Sequence, residues 1–431
     1  MSAGFFSPSY WLRRVFLYRP GRLARGTLSV SSGMFIQGVL QAAILVVLAR
    51  ALGVTEYGGF VAAAAFITLL VPLAGMGCGF LLVRDSARNH QLFPEAFGRS
   101  LIILAMTALP LIVLALAVGH FILPSQVSAA AILALAISEL IFAPASELVA
   151  RAYQAFELTG RMAFFRAALF AVRLIVLAFL WLTTRITTTS AAIAYAGSSI
   201  IVAIVALALV ARELGVPEFR LNGILEGMED GFHFSVNYTA FRMNSDIDKV
   251  MLAKLASPAT AGFVGAAFRL MQGVMLPIRA LLEAGYARFF NAGVQGTAAT
   301  INLARKWLPL PLAYSVLTGV GIFIFAGLAP VLLGQDFGSS VLVLRWFAPY
   351  PVVALLHYGL DTMLTTSNRQ RFTARVMLAG AVINVGLNFW LIPILSWKGA
   401  VLSAYCSELV IVTAYLGALL LSSGTRPMIA D

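Results

Sequence analysis

This sequence is poor in charge and in cysteine. Charged residues make up only 11% of its 431 residues, against 60% hydrophobic residues, and the mean hydropathy is +0.91. Soluble globular domains carry about 25% charged residues, so this composition excludes a soluble enzyme or binding domain. The two cysteines, Cys78 and Cys406, both fall in apolar runs, which excludes a disulfide framework. The solvent of this chain is therefore lipid.

The sequence also lacks the residue groupings that catalysis and cofactor binding require. Its four histidines stand far apart, at positions 90, 120, 233 and 357. No metal-binding cluster, nucleotide-binding glycine loop or Ser/His/Asp set appears. The basic residues, which give a net charge of +12, lie in small groups between apolar runs and form no nucleic-acid-binding domain. We therefore expect no catalytic residue, cofactor, metal ion or nucleic acid partner.

Long apolar runs separated by charged and Pro/Gly-rich breaks predict an all-α integral membrane protein. Because a helix needs about 20 apolar residues to cross the hydrocarbon, we predict about twelve spans in two six-helix bundles, at 27–211 and 232–421. A basic segment at 1–26, a linker at 212–231 and a tail at 422–431 complete the chain. The predicted spans are 27–51, 59–83, 100–123, 127–150, 163–183, 189–211, 232–255, 260–284, 306–328, 340–364, 373–394 and 399–421.

Positive charge is distributed unevenly over the connections between these spans. Most of the Lys and Arg fall in the N-terminal segment and in every second connection, whereas the other connections hold only Arg50, Arg185, Lys254 and Lys398. Cytoplasmic connections retain positive charge. We therefore predict that both termini are cytoplasmic.

The two halves of the sequence resemble each other at one place. The segment Leu52–Phe66 reads LGVTEYGGFVAAAAF and Leu255–Phe268 reads LASPATAGFVGAAF. Each precedes a proline in the following span, Pro72 or Pro277. Because an even number of spans separates the copies, we predict a parallel repeat, related by an axis along the membrane normal.

Ionisable residues inside predicted spans are the main functional signal. A charge at the bilayer centre costs at least about 2.5 kcal/mol, so several charges in one span require water or partners. The seventh span has Arg242, Asp246 and Lys249 on one helical stripe, with Asp248 on a second stripe. We expect this span to face an aqueous cavity.

Further cations extend this pattern to other helices. Arg269, Gln272 and Arg279 share one face of the eighth span, and Arg173 in the fifth span adds a cation from the first half. A guanidinium binds phosphate oxygens bidentately and stays charged when partly desolvated. These residues therefore predict a net positive cavity that suits a diphosphate, in which Asp246 and Asp248 tune the cations or take part in ion coupling.

Several of these residues also have a structural interpretation. Arg242 and Asp246 are spaced to form an intrahelical ion pair, and Arg279 can extend to the membrane interface. Glu139 and Glu408 are candidates either for ion coupling or for polar networks between helices.

Amide side chains form two pairs at helical spacing. Gln37 and Gln41 share a face of the first span, where they are candidates for binding sugar hydroxyls or for hydrogen bonds between helices. Hydrogen bonds between helices are the interpretation that we favour for Asn384 and Asn388 in the eleventh span.

Two segments resemble known transporters. Residues 49–60, ARALGVTEYGGF, resemble the A-x-x-L-G-x-x-x-Y-G signature between the first two helices of Wzx-type polysaccharide flippases. Residues 248–270, DKVMLAKLASPATAGFVGAAFRL, resemble the seventh-to-eighth helix segment of the same family. These flippases belong to the MOP exporter superfamily, together with the lipid II flippase and the MATE drug exporters.

The resemblance implies a V-shaped pair of bundles in a bacterial inner membrane, with alternating access to a central cavity. It implies an undecaprenyl-diphosphate-linked oligosaccharide, the repeat unit of O-antigen or exopolysaccharide, as substrate. Candidate further partners are the polysaccharide polymerase, the chain-length machinery and a coupling H⁺ or Na⁺. Two alternatives remain: a MATE-like cation-coupled drug antiporter, which needs an acidic cavity, and a membrane glycan polymerase or ligase, which needs a catalytic external loop.

Overall fold

The computed structural model describes residues 22–221, 223–294, 296–367 and 369–422 of the chain. The described residues are helical almost throughout and include no strand. The predicted N-terminal segment and the predicted tail lie almost wholly outside them. Eight described helices are long and apolar enough to cross a membrane, or nine if one bent pair is a single span.

The described residues of the first half, from Arg22 onward, form seven α-helices of unequal length. A π-helical segment at Ile137–Phe142 joins the fourth helix to the fifth. The helices are α1 (Arg22–Leu70), α2 (Cys78–Arg88), α3 (Phe93–Ile122), α4 (Ala129–Ala136), α5 (Ala143–Ala155), α6 (Thr159–Thr183) and α7 (Thr188–Glu213).

In the second half, the part of the chain that the structure describes forms ten α-helices, and several of them are short. The pair α14 and α15 bends by 47° at its break. The helices are α8 (Ile224–Leu255), α9 (Pro258–Val274), α10 (Leu276–Val294), α11 (Thr297–Trp307), α12 (Pro309–Phe325), α13 (Ala329–Leu333), α14 (Ser340–Phe347), α15 (Tyr350–Thr366), α16 (Gln370–Leu395) and α17 (Trp397–Ser422).

Helix α1 is two helical arms joined at Gly53. A straight helix of 49 residues would be about 74 Å long, whereas the hydrocarbon is about 30 Å thick. Gly53 has a φ of 69° and a ψ of 171°, a conformation that glycine adopts readily. Counting both arms of α1, the bent pair as one span, the polar helix α8 and the 17-residue helix α9, the described helices are consistent with twelve spans.

The predicted spans at 59–83 and 260–284 are each interrupted. After Pro72 the chain turns through Gly75, Met76 and Gly77, which all have positive φ, before α2 begins. In the second half, α9 ends at Val274 and α10 begins at Leu276, immediately before Pro277. Proline removes a backbone donor and clashes with the preceding turn, so both breaks have the same cause. Their matching positions support the predicted repeat.

The connections lie at two ends of the molecule. We call the end that contains Arg50 and the α6–α7 connection the Arg50 end, and the other the linker end, after the connection between α7 and α8. Helix α8 begins at Ile224, so the linker is shorter than the predicted 212–231. Arg185, Lys254 and Lys398 all lie at the Arg50 end with Arg50, as the charge pattern predicts.

Buried apolar side chains form one core at the Arg50 end and two separate cores at the linker end. The core at the Arg50 end is shared by both halves and includes Tyr57 and Phe337, whose rings are 5.7 Å apart. At the linker end, one core, around Tyr153, is formed by the first half together with the start of α8, which contributes Ile224. The other belongs to the second half, around Tyr415. The two halves thus share one core at the Arg50 end and have separate cores at the linker end.

Glycines allow the two halves to approach closely at the Arg50 end. Helices α1 and α9 pack against each other, and a Cβ atom at Gly58 would lie 1.7 Å from the carbonyl oxygen of Pro258. A Cβ atom at Gly262 would lie 2.1 Å from the carbonyl oxygen of Val54. Nearby, Arg50 Nε donates to the carbonyl oxygen of Leu332 at 2.8 Å. Backbone packing and a charged hydrogen bond therefore close this end.

Candidate functional site

In the first half, Arg173 is held in a polar cluster inside the bundle. Its guanidinium pairs with Glu139 and donates to Ser138 Oγ at 2.9 Å and Ser199 Oγ at 2.8 Å. The same group lies 4.4 Å from the ring centroid of Tyr195. With only 4% of Arg173 exposed, these contacts fix its position.

The backbone explains how Glu139 reaches Arg173. Glu139 lies in the π-helical segment between α4 and α5, where the wider turn shifts side chains relative to a regular α-helix. Such segments are frequent at functional sites. Ser138, the neighbouring residue, also bonds Ser199 Oγ at 2.8 Å, so the segment is tied to α7.

In the second half, α8 carries the polar stripe that the sequence predicts. Lys249 Nζ lies 3.0 Å from Asp246 Oδ1, 3.2 Å from Asp248 Oδ1 and 4.2 Å from the Phe268 ring centroid. Arg242 is 3.7 Å from Asp246 Oδ2 and donates to the Tyr238 hydroxyl at 3.0 Å. The predicted intrahelical pairing is therefore present, and on α8 Lys249 is held more closely than Arg242.

Arg269 differs from the other cations. It extends from α9, seven residues beyond Gly262, and its side chain is exposed to solvent. It forms no hydrogen bond or ion pair with any described residue, yet it lies within electrostatic range of Tyr57, Tyr195, Asp246 and Glu139. These residues come from both halves of the chain. Arg269 is thus an unpaired cation between the halves, about 10 Å along α9 from the close contact at Gly262.

The charges of this central set nearly balance. The four cations Arg173, Arg242, Lys249 and Arg269 face the three carboxylates Glu139, Asp246 and Asp248, which leaves one net positive charge. The sequence interpretation treated all four cations as available to phosphate. In the structure three of them contact carboxylates, so Arg269 has the greatest freedom to bind an anion.

The remaining predicted residues lie in different places. Gln37 and Gln41 are half-buried on α1, on either side of Gly38, which contacts Leu276 of α10. Gln272 and Glu408 line a small cavity within the second half. Arg279 belongs to α10, and its side chain lies outside the described residues.

Several residues at these sites were missed by the sequence interpretation. Tyr195 and Ser199 are spaced by four residues in an alanine-rich run, AAIAYAGSS. This spacing places both polar side chains on one helical face, so the pair could have been identified from the sequence. In the sequence, His357 is only one of four widely separated histidines, but in the structure its Nδ1 lies 2.6 Å from Glu408 Oε2. Asn388 Nδ2 donates to Asn384 Oδ1 at 2.9 Å and Asn384 Nδ2 donates to Ser407 Oγ, which confirms the predicted bond between helices.

Comparison with known structures relates the fold to transporters. It is similar to an inward-facing multidrug resistance MATE family transporter of the MOP superfamily (TM-score 0.74, 13% identity, covering 93% of this chain and 99% of that chain). It is also similar to the lipid II flippase MurJ in an inward closed conformation (TM-score 0.75, 12% identity, 91% and 87% covered). A third similar structure is a MOP superfamily transporter from Pyrococcus furiosus described as having a binding pocket of reversed polarity (TM-score 0.62, 13% identity, 93% and 96% covered).

These structures confirm the predicted all-α membrane fold and its MOP exporter architecture. No curated protein matches the sequence significantly. Residues 23–280, more than half of the chain, match a family described as polysaccharide biosynthesis protein. The chain therefore belongs to the polysaccharide biosynthesis protein family, and it is a multi-pass membrane protein with the fold of the MOP superfamily transporters.

Proposed function

We propose that this protein is a flippase that carries an undecaprenyl-diphosphate-linked oligosaccharide across the bacterial inner membrane, without covalent chemistry. The observation that carries the proposal is Arg269, a solvent-accessible cation without an ion pair, within electrostatic range of groups in both halves. A diphosphate needs such a donor, because a guanidinium presents two parallel N–H groups to phosphate oxygens.

The surrounding residues have supporting roles in this proposal. Arg242, one third of whose side chain is exposed, is the second candidate for contact with phosphate or with acidic sugars. Arg173 and Lys249 are both almost completely buried. They contribute to the electrostatic potential of the site and do not contact the substrate. Movement of one half relative to the other would expose Arg269 to each side of the membrane in turn.

The orientation of the protein follows from its charges. The linker end carries most of the Lys and Arg, and the Arg50 end carries few. Positive charge favours the cytoplasmic side, so we place both termini and the linker in the cytoplasm. The packed Arg50 end then faces outward, and the halves separate toward the cytoplasm, where a lipid-linked sugar is assembled before export.

The test is translocation in liposomes with a defined polyprenyl-diphosphate oligosaccharide. Arg269→Ala should abolish translocation, whereas Arg345→Ala should retain it, because Arg345 lies beside the Phe323 ring on another helix. Equal translocation by both variants would contradict the proposal.

A parallel assay of cationic dye efflux tests the drug antiporter alternative. Dye export that survives Arg269→Ala, together with no glycan export by the parent protein, would establish that alternative instead.

A further inference from the structure

A small polar cavity lies inside the second half, and Arg269 is not among the residues that line it. It has a volume of about 20 Å³ and lies between α8, α9, α15 and α17. Its polar lining includes Asn244, Ser245, Gln272, His357 and Glu408, together with the tyrosines Tyr350 and Tyr358. A water molecule needs about 10–15 Å³ of such volume, so the cavity has room for roughly one. It is too small for a lipid-linked sugar.

The cavity contains a buried ionisable pair. His357 Nδ1 lies 2.6 Å from Glu408 Oε2, with 3% and 7% of these side chains exposed. The Tyr350 hydroxyl donates to Glu408 Oε1 at 3.1 Å. Both carboxylate oxygens of Glu408 therefore have a partner, and when Glu408 is ionised it is Nδ1 that carries the proton and donates it to the carboxylate.

Two polar atoms of the same cavity have no partner. His357 Nε2 and Asn244 Oδ1 are both buried and form no hydrogen bond. When the imidazole is neutral with its proton on Nδ1, Nε2 is an acceptor. Asn244 Oδ1 is also an acceptor, so neither of these two atoms can then donate a hydrogen bond to the other. A buried polar atom without a partner costs about 1–3 kcal/mol.

One proton changes this arrangement. Taken from water onto Nε2, it makes the imidazolium and turns Nε2 into a donor, which a water in the cavity can bridge to Asn244 Oδ1. It also takes the His357–Glu408 pair from one net negative charge to neutral, which lowers the cost of burying it. Histidine is the side chain whose charge changes at ordinary physiological pH.

The neighbouring titratable and charged groups come from three helices. On α15, Tyr358 stacks on the imidazole with ring centroids 5.2 Å apart, and Asp361 lies within electrostatic range of His357. On α17, the Tyr415 ring centroid is 5.9 Å from that of His357. On α8, Lys249 contacts the Phe268 ring, which also lines the cavity. No described Lys or Arg pairs with Glu408, so the proton on His357 is its neutralising charge.

We propose that His357 and Glu408 form a proton-binding site, and that a proton on His357 Nε2 links α15 to Asn244 of α8 and thereby biases the alternation between the two halves. Helix α8 also carries Asp246 and Lys249, so a bond made in the cavity acts on the helix that forms part of the central charged site. Loss of the proton removes the bond and frees α8 to shift against α15. This inference rests on the proposed function, since it supplies the ion that drives transport.

The experiment follows the opening of the Arg50 end without any substrate. In a Cys78→Ser, Cys406→Ser background, spin labels are attached at Thr184→Cys and Ile394→Cys, exposed positions at the Arg50 end of the two halves. The distance distribution in nanodiscs is measured at roughly pH 5 and pH 8, the range over which histidine titrates. We expect two distances whose populations change with pH. The change should be lost in His357→Gln and in Glu408→Gln, which keeps the shape of the carboxyl group.

His120→Gln is the matched control, because His120 is an exposed histidine at the end of α3 and its loss should leave the pH response intact. A retained pH response in folded His357→Gln or Glu408→Gln would overturn the proposal. So would a response to Na⁺ at constant pH that depends on Glu408 while pH has no effect.

Nitrogen-15 NMR gives a second measurement in the intact chain with His90, His120 and His233 changed to Gln. We expect the His357 Nε2 chemical shift to change when the pH of the sample is varied, and an unchanging signal would overturn the proposal. Neither measurement uses the glycan, so the proposed substrate is tested separately: a pH response without glycan export would refute the substrate alone.

Discussion

The guanidinium carbon of Arg173 lies 4.4 Å from the ring centroid of Tyr195. The same tyrosine is within electrostatic range of Arg269 from the second half, so one aromatic side chain lies near cations of both halves. The two arginines nevertheless differ in their contacts, because Arg173 is paired with Glu139 and Arg269 is unpaired. Substitution should therefore affect stability at one position and substrate binding at the other.

Arg173→Ala should destabilise the protein. Removing one partner of a buried ion pair costs about 3–5 kcal/mol, and here Glu139, Ser138 and Ser199 would all lose a contact. Thermal unfolding of the purified protein in detergent measures this effect as a lower midpoint. The double variant Arg173→Met, Glu139→Gln should recover much of the loss, since no unpaired charge remains. Unchanged unfolding of Arg173→Ala would contradict the structural role of this pair.

Arg269→Lys should weaken binding of a short-chain polyprenyl diphosphate by about tenfold. Lysine keeps the positive charge and loses the paired donors of the guanidinium, a difference of about 1.4 kcal/mol for a tenfold change. Titration calorimetry measures the affinity, and thermal unfolding serves as the control because Arg269 has no structural partner to lose. Identical affinities for the parent and Arg269→Ala would exclude Arg269 as a phosphate ligand.

Gly58→Ala should open the Arg50 end. The added Cβ atom would lie 1.7 Å from the carbonyl oxygen of Pro258, so α1 and α9 must separate. A cysteine at Thr260, which is 8% exposed in the parent, should then react faster with a maleimide. Gly59→Ala is the matched control, because its Cβ atom would be 3.5 Å from the nearest side-chain atom, an ordinary contact. Equal reaction rates in the two variants would show that this contact does not close the end.

Single cysteines should establish the orientation in the membrane. In a cysteine-free background, cysteines replacing Thr184 and Lys398, both exposed at the Arg50 end, should react with an impermeant maleimide in intact cells with a permeabilised outer membrane. Cysteines replacing Arg88 and Arg371, exposed near the linker end, should react only after the inner membrane is lysed. The reverse pattern would overturn the predicted cytoplasmic termini.

Hydropathy was enough to find the spans because each run of apolar residues has only one way to satisfy its backbone in lipid. The helices observed at 159–183, 188–213, 370–395 and 397–422 agree with the prediction within a few residues. The breaks after Pro72 and before Pro277 were missed as breaks, although both prolines were noted. Proline allows either a kink or a complete break, and the surrounding packing determines which one forms.

The pairs of charged residues that join different helices could not be predicted from the sequence. Glu139 and Arg173 are 34 positions apart, and His357 and Glu408 are 51 apart. Sequence spacing predicts contacts within one helix, so the Arg242–Asp246 and Lys249–Asp246 contacts could be predicted. Contacts between helices depend on the rotation of each helix about its axis, which is fixed by packing such as that of Gly58 against Gly262.

The division of the interior into one shared core and two separate ones also constrains how the protein assembles. As the chain enters the bilayer, the core around Tyr153 needs only residues up to Met228, so the first half can pack as soon as the start of α8 is made. The shared core cannot form until α9 and later helices arrive. Docking of the two halves is thus a late event in biogenesis, and a nascent first half exposes at the Arg50 end an apolar face that only its own unfinished second half can cover.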